Sequence, residues 1–159
     1  METTNKVEVF ILAPDGKTLH AIEQWEKQED PTTAQSVVIR NEFGQEFVLD
    51  KEALPGEMEF QPALDAAAVR GGTTGTRKQW IDVYEAIHTA GLNVALALIG
   101  GDPIGRAWHW TGEKDSDQSN ASYAWIFYGN NGNLSNGNYR IHAYAARVFR
   151  AFNQKPSGL

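Results

Sequence analysis

Apolar and polar residues alternate from Val7 to Leu12 (VEVFIL), with β-branched side chains, and this predicts a strand. Pro14-Asp15-Gly16 predicts a turn, because Pro presets φ and Gly accepts positive φ. Two further short strands are predicted at 36–40 (SVVIR) and 46–49 (EFVL), joined by a hairpin loop at Asn41-Glu42-Phe43-Gly44. The polar stretch 23–35 predicts a loop anchored in the core by Trp25. Residues 58–69 (MEFQPALDAAAV) read as helical from Pro62 onward, with Ala-rich propensity. After the Gly-rich break at 70–75, Thr76 and Gln79 form a capping box. It opens an amphipathic helix in which Trp80, Val83, Tyr84 and Ile87 share one face, and Ala90-Gly91 closes it. Leu92, Leu96 and Ile99 predict a second short helix that ends at Gly100-Gly101. The chain then returns to strand at 124–128, turns at Asn130-Asn131-Gly132, continues as polar strand or loop to Arg140, and ends in strand at 144–152. The order β, α, β, without repeats or a linker, predicts one α+β domain over 1–159. Its parts are a β-rich 1–50, a helical 58–100 and a β/loop segment at 107–152.

Composition narrows the function classes. A 42% hydrophobic and 11% aromatic content supports a packed core in 159 residues. A net charge of −6 argues against a nucleic-acid partner and against attraction to anionic membranes. No apolar run approaches the ~20 residues of a membrane span. With no cysteine, disulfides, thiolate zinc sites and Cys nucleophiles are excluded. The first residues carry no signal-peptide pattern, so the expected location is cytoplasmic at synthesis, and then a virion or cell surface for a displayed protein.

The segment from Trp110 to Phe152 carries the candidate chemistry. Its ends are aromatic, apolar and arginine-rich, and its middle is crowded with Asn, Gly, Ser and Tyr. Tyr supplies contact area at low entropic cost, and Ser, Gly and Asn supply adaptable hydrogen bonds, which is the chemistry of a binding surface. The expected contact residues are Tyr128, Asn130, Ser135, Asn136, Asn138, Tyr139, Arg140, His142 and Tyr144. The expected frame is Trp80, Trp110, Trp125, Val148 and Phe152. Alanine at Tyr139 and Tyr144 is expected to abolish binding with little change in melting temperature.

Other motifs lead elsewhere. Gly71-Gly72-Thr73-Thr74-Gly75-Thr76-Arg77-Lys78 lacks the Walker spacing and predicts a loop between helices. Glu113, Asp115 and Asp117, with Ser116 and Ser119, fail the EF-hand pattern and predict a solvated acidic loop without a specific calcium site. His20, His88, His109 and His142 show no metal-ligand spacing; His88 is expected on a helix surface and His109 in packing between tryptophans. Trp108, Trp110 and Trp125 could stack on sugars, but Trp110 and Trp125 are expected in the core. Arg147 and Arg150, three apart in a strand, fall on opposite faces, one buried and paired, one exposed. The sequons at Asn120 and Asn133 matter only in a secreted protein.

Taken together, several blocks resemble bacterial and phage C-type-lectin-fold domains related to the C-terminal domain of the Lcl adhesin, a group that includes variable proteins of diversity-generating retroelements. Thr76-Arg77-Lys78-Gln79-Trp80 with Tyr84 looks like the family's "LPTRKEW…Y" helix start. Trp110-Thr111-Gly112-Glu113 looks like its "WSSTE", Ala124-Trp125 with Asn131-Gly132-Asn133 like its "AW…NGN", and 146–152 like its closing "VRPVRAF". Gly75, Gly112 and Phe149 depart from the family's Pro, Ser and Pro. The resemblance implies a C-type lectin-like fold, with short antiparallel strands and two helices. The EPN and WND motifs of sugar–calcium lectins are absent. Retroelement mutagenesis of Asn codons cannot yield Lys, Glu, Gln, Met or Trp, and residues 126–146 contain none of these.

The leading expectation is therefore a non-enzymatic ligand-binding or display domain, a diversified receptor-binding or adhesion protein. Its partner would be a protein or glycan on a cell or particle surface, with no cofactor, no metal, no nucleic acid and no membrane insertion. The alternatives are a structural part of a phage tail or surface fibre, and an enzyme on a lectin-like fold.

Overall fold

The computed structural model describes residues 6–27, 33–116 and 122–152. The alternating run becomes strand β1 (Glu8–Leu12), and the Pro-Asp-Gly turn leads into a two-residue strand, β2 (Leu19–His20). Asp15 organises this turn by accepting hydrogen bonds from the Lys17 and Thr18 amides and the Thr18 hydroxyl. Those bonds, led by the Thr18 hydroxyl, hold its carboxyl down at about 2. A single helical turn, α1 (Ile22–Trp25), follows where a loop was expected. One turn is too short to show a period in sequence, yet it delivers Trp25 to the core, 3% exposed.

Strands β3 (Ser36–Arg40) and β4 (Glu46–Ala53) form the expected hairpin, with β4 running four residues further than its alternation suggested. Asn41 closes the loop: its Oδ1 accepts the Phe43 and Gln45 amides, and its Nδ2 donates to Asp82. Asp82 lies on α3 (Arg77–Thr89), which follows α2 (Phe60–Val69). Helix α2 starts two residues before Pro62, because a proline in the first turn lacks only an N–H that has no helical partner anyway. Thr76 and Gln79 make the capping box of α3 reciprocally, at 3.0 and 2.9 Å. Gly91 at φ 72° separates α3 from α4 (Leu92–Leu98). Four helices are thus present among the described residues, two more than the family resemblance implied.

Strands β5 (Trp108–Lys114), β6 (Tyr123–Tyr128) and β7 (Leu134–Asn138) form a three-stranded antiparallel sheet in that order. The final strand, β8 (Arg147–Ala151), leaves this group and pairs with β4, giving a five-stranded sheet of order β2-β1-β3-β4-β8. The main core lies between the five-stranded sheet and helices α3 and α4, centred on Trp80, which stacks on Phe127 at 4.8 Å. A second cluster joins α2, β5, β6 and β8 through Phe60, Trp110, Ile126 and Val148. A third, on the far face of the five-stranded sheet, holds Leu12, Val38 and Val48, with Phe152 against it. Phe152 was expected to frame the polar segment; strand alternation instead turns it to the opposite side of the molecule.

The register of β4 against β8 breaks between Leu49 and Ala53, and the bulge leaves backbone carbonyls facing inward. Arg147 meets them: buried to 2% exposure, its Nη1 donates to the Lys51 carbonyl at 2.7 Å and the Asp50 carbonyl at 3.3 Å. Burial lowers its pKa to about 10, opposed by the charges of Asp102 and Asp50, so it stays cationic at neutral pH. One of the two arginines was expected to be exposed, and neither is: Arg150 is half-buried, bound to Asp50 at 2.6 Å and to Ser36 at 3.1 Å.

Candidate functional site

The expected contact residues gather on the three-stranded sheet and the loop after it, but strand alternation divides them between two faces. On β7, Asn136 stands opposite Trp125, and Asn138 opposite Tyr123. These side chains share the face toward α3 with Phe127 and Leu134. Ser135 and Gly137 point the other way, opposite Ile126 and Ala124.

On the α3 face, Trp125 is half-buried, not in the core as expected. The Arg77 guanidinium lies over its ring, 4.4 Å from the centroid. Glu113 fixes Arg77 by accepting from its Nε at 3.0 Å and from its backbone amide at 2.7 Å. Arg77 and Lys78 open α3, where the helix dipole disfavours cations, and Glu113 supplies the compensating anion. Asp115 accepts from Asn136 Nδ2 at 2.7 Å. The carboxylates read as a free acidic loop are therefore engaged: Glu113 sits within β5 and Asp115 ties β7 to it, while Asp117 and Ser119 lie outside the described residues. Among the described residues, no three His, Asp or Glu side chains converge as a metal site requires.

On the other face, Tyr128 stacks on Trp108, with ring centroids 4.5 Å apart and planes 20° apart. Tyr144 packs edge-on to Trp110 at 4.8 Å and covers Gly137, where an added Cβ would lie 3.2 Å from its ring. Burial, with the Glu57 charge, raises the Tyr144 pKa. His142 stacks on Tyr144 at 5.6 Å, and Tyr139 lies against Phe60 at 5.3 Å. Asn138 Oδ1 accepts the Arg140 amide and so shapes the turn that presents Arg140, Ile141 and His142 to solvent. Asn130 is exposed in the β6–β7 turn, whose Gly132 (φ 76°) rests on the Tyr84 ring.

Exposed contact candidates are thus Asn130, Ser135, Arg140 and His142; Tyr128, Asn136, Asn138, Tyr139 and Tyr144 are half-buried and also hold the frame. This corrects the expectation for Tyr139 and Tyr144. Both pack on the second core cluster, because a tyrosine can bury one side of its ring while showing the other. Each alanine substitution is expected to cost about 1–2 kcal/mol in denaturant unfolding, since an aromatic pair and partial burial are lost. A loss below about 0.5 kcal/mol would restore the purely superficial reading, as that is the range of surface substitutions.

Beside the α3 face runs a shallow groove of about 370 Å³, lined by Thr76, Arg77, Lys78, Ile81, Glu113 and Leu134. Arg77, Ile81 and Leu134 were not among the expected contacts. The signal available was the pair of cations at the start of a helix, which implies an outside anion. A recess of similar size elsewhere, about 410 Å³ and lined by Phe47, Thr73, Phe149 and Arg150, has its chemistry already paired. Arg150 holds Asp50, and Thr73 exchanges two backbone hydrogen bonds with Phe149.

Beneath the sheet, His109 is 5% exposed and packs on Trp80 at 5.0 Å. Its Nδ1 has no hydrogen-bond partner among the described residues. Burial, then the nearby Arg147 charge, push its pKa down to about 4, with the Phe127 and Ala107 carbonyls pulling the other way. A neutral imidazole enclosed in this way packs the core and is not accessible for catalysis.

No protein-family model, curated protein or solved structure matches this chain. No helix among the described residues is long and apolar enough to cross a membrane.

Proposed function

We propose that this is a non-enzymatic binding domain of C-type-lectin-like fold, presenting the β5–β7 sheet and the 139–144 turn to a protein or glycan partner. The observation that carries this reading is β7 itself. Its five residues, Leu-Ser-Asn-Gly-Asn, include one buried position, Gly137. The strand gives the core one partly buried side chain, Leu134, and is otherwise held in place by its ladder to β6 and by Tyr144. The lectin-like reading draws support from two antiparallel sheets and from a final strand that returns beside β4. The excursion between them is anchored at both ends in one cluster, by Trp110 and Val148.

The test is comparison of this gene among closely related isolates. The expected result is substitution concentrated within residues 115–144, heaviest at exposed Asn130, Ser135, Arg140 and His142. The packing residues Trp110, Gly137 and Tyr144 are expected to stay fixed. Substitutions spread evenly over the surface would overturn the diversified-surface reading. Turnover of generic esterase, phosphatase or glycosidase substrates, lost on His142→Ala, would overturn the non-enzymatic one.

A further inference from the structure

Two sheets have four outer edges, and three of them here are short or covered. β2 is two residues long, and the part of β1 left beyond it, Glu8–Phe10, is three residues long and carries a charge at Glu8. The outer side of β8 is met by Thr73, through Thr73 N–H to Phe149 O at 2.9 Å and Phe149 N–H to Thr73 O at 2.8 Å. The outer side of β5 is met by Ala145, through bonds of 3.0 and 3.2 Å with Trp110 and Trp108, and by the Gly75 carbonyl, which accepts the Gly112 amide at 2.6 Å.

β7 differs. Its ladder is flanked by Tyr128 N–H to Asn133 O and Tyr139 N–H to Ser122 O, both 2.9 Å. Hydrogen-bonded pairs alternate in an antiparallel ladder, so Ser135 and Gly137 bond to β6 while Leu134, Asn136 and Asn138 turn their backbone groups outward. The Asn138 carbonyl is taken by the Ile141 and His142 amides. Leu134 and Asn136 keep both N–H and C=O directed away from the sheet, without a protein partner among the described residues. Edges in this state are normally blunted by Lys, Pro or a bulge, and LSNGN has none of these.

The groove crosses the α3 face of the same sheet, from Glu113 on β5, and reaches the β7 edge at Leu134. Leu134 belongs to both, and Ile81, 49% exposed, forms its apolar floor. Two cations, Arg77 and Lys78, line it with one carboxylate, Glu113, which already binds Arg77; the Lys78 ammonium rests over the exposed Phe43 ring, 5.3 Å from its centroid, a weak contact that an acidic side chain can replace. We infer that the β7 edge takes an extended segment of another polypeptide as a fourth strand. That segment sets an apolar side chain on Ile81 and Leu134 and an acidic one, two residues along, toward Lys78. Main-chain bonds would supply affinity and the alternate side chains specificity. A second copy of this chain fits less well, because LSNGN offers no carboxylate to the cations. The inference rests on the proposed binding function and names its partner chemistry.

The test pans a random dodecapeptide display library against the full chain. The expected result is enrichment of peptides with an apolar-x-acidic pattern, whose binding protects the Leu134 and Asn136 amides from hydrogen exchange. Before peptide is added, those two amides exchange faster than Ser135 and Gly137. Asn136→Pro removes an outward N–H without touching the ladder, a position where edge strands accept proline. It is expected to weaken these peptides about tenfold or more, the worth of a lost bond plus a blocked approach. Asn136→Ala, which keeps the outward N–H and loses the side-chain bond to Asp115, is expected to weaken them less than the proline does. No enrichment, or equal binding to a folded Asn136→Pro variant, would overturn the inference. So would protection of the same amides by self-association, appearing at high protein concentration and lost on dilution. The wild-type exchange result stands even if the proline variant fails to fold. A negative panning result leaves the isolate comparison untouched, so the two proposals fail separately.

Discussion

Replacing Arg147 with alanine is expected to cost about 3–5 kcal/mol, a large part of the stability of a typical domain. The side chain occupies the junction between the two sheets, 2% exposed, and satisfies the carbonyls of Asp50 and Lys51 in the β4 bulge. Alanine removes its volume and its bonds to both carbonyls, of which that of Lys51 keeps one donor, the Asp102 amide at 2.7 Å. Methionine is not expected to rescue fully: it fills space, but it donates no hydrogen bond to the Asp50 carbonyl and none to replace the second bond at Lys51. Lysine is expected to recover part of the loss, as its single ammonium can reach one carbonyl where the guanidinium reaches two. Urea denaturation of the three variants decides this. A loss under about 1 kcal/mol for alanine would mean that solvent reaches the bulge and satisfies it.

Acid is expected to destabilise the fold well before ordinary carboxylates are protonated, through His109. Its folded pKa is about 4, below the unfolded value of 6.5. Above 6.5 both states are neutral and the group contributes no slope. As pH falls from 6.5 toward 4, the unfolded chain binds a proton that the folded chain refuses, so stability is lost across that window. The full loss is about 3 kcal/mol, at about 1.36 kcal/mol for each tenfold difference in proton affinity between the two states. His109→Phe, neutral at every pH, is expected to abolish this limb, whatever its constant effect on packing. Unfolding free energies of both proteins at pH 7, 5.5 and 4.5 measure the difference. A gap between them that does not change with pH would show that His109 does not titrate in this way.

Local chemistry made much of this fold legible in sequence. Thr76 and Gln79 lie three residues apart and bond only to each other's backbone, so the start of α3 could be read without knowing its neighbours. The Asn41–Gly44 hairpin is closed by local bonds too, although Asn41 Nδ2 also reaches Asp82 on α3. What sequence hid was placement over distance. The pairing of β4 with β8 breaks at its bulge, and Arg147, which binds the carbonyls there, lies about a hundred residues further on. Glu113 looked like one of three loop acids because its partner Arg77 is on another element. Composition located the polar surface but not its sidedness: Asn136 and Ser135 are neighbours in sequence and point to opposite faces. Trp125 shows the same limit, since an aromatic residue carries no mark of whether a helix or an arginine will cover it.

The pairing of β4 with β8 also sets an order of events during synthesis. Leu49 must wait for Phe149, about a hundred residues of translation later, before the five-stranded sheet gains its last strand. Ribosomes add about 5–20 residues per second, so the apolar edge of β4 is bare for several seconds in a nascent chain. Contacts this distant also slow folding, because loop closure comes before the reward of pairing. The segment between β5 and β8 is made within that interval. Its uncharged, mostly polar β7 can sit through the delay with little to bury, whereas a more apolar β7 would give the waiting β4 edge a competing partner. Restraint in the apolar content of β7 would thus protect the newborn chain from misassembly, apart from anything the finished surface binds.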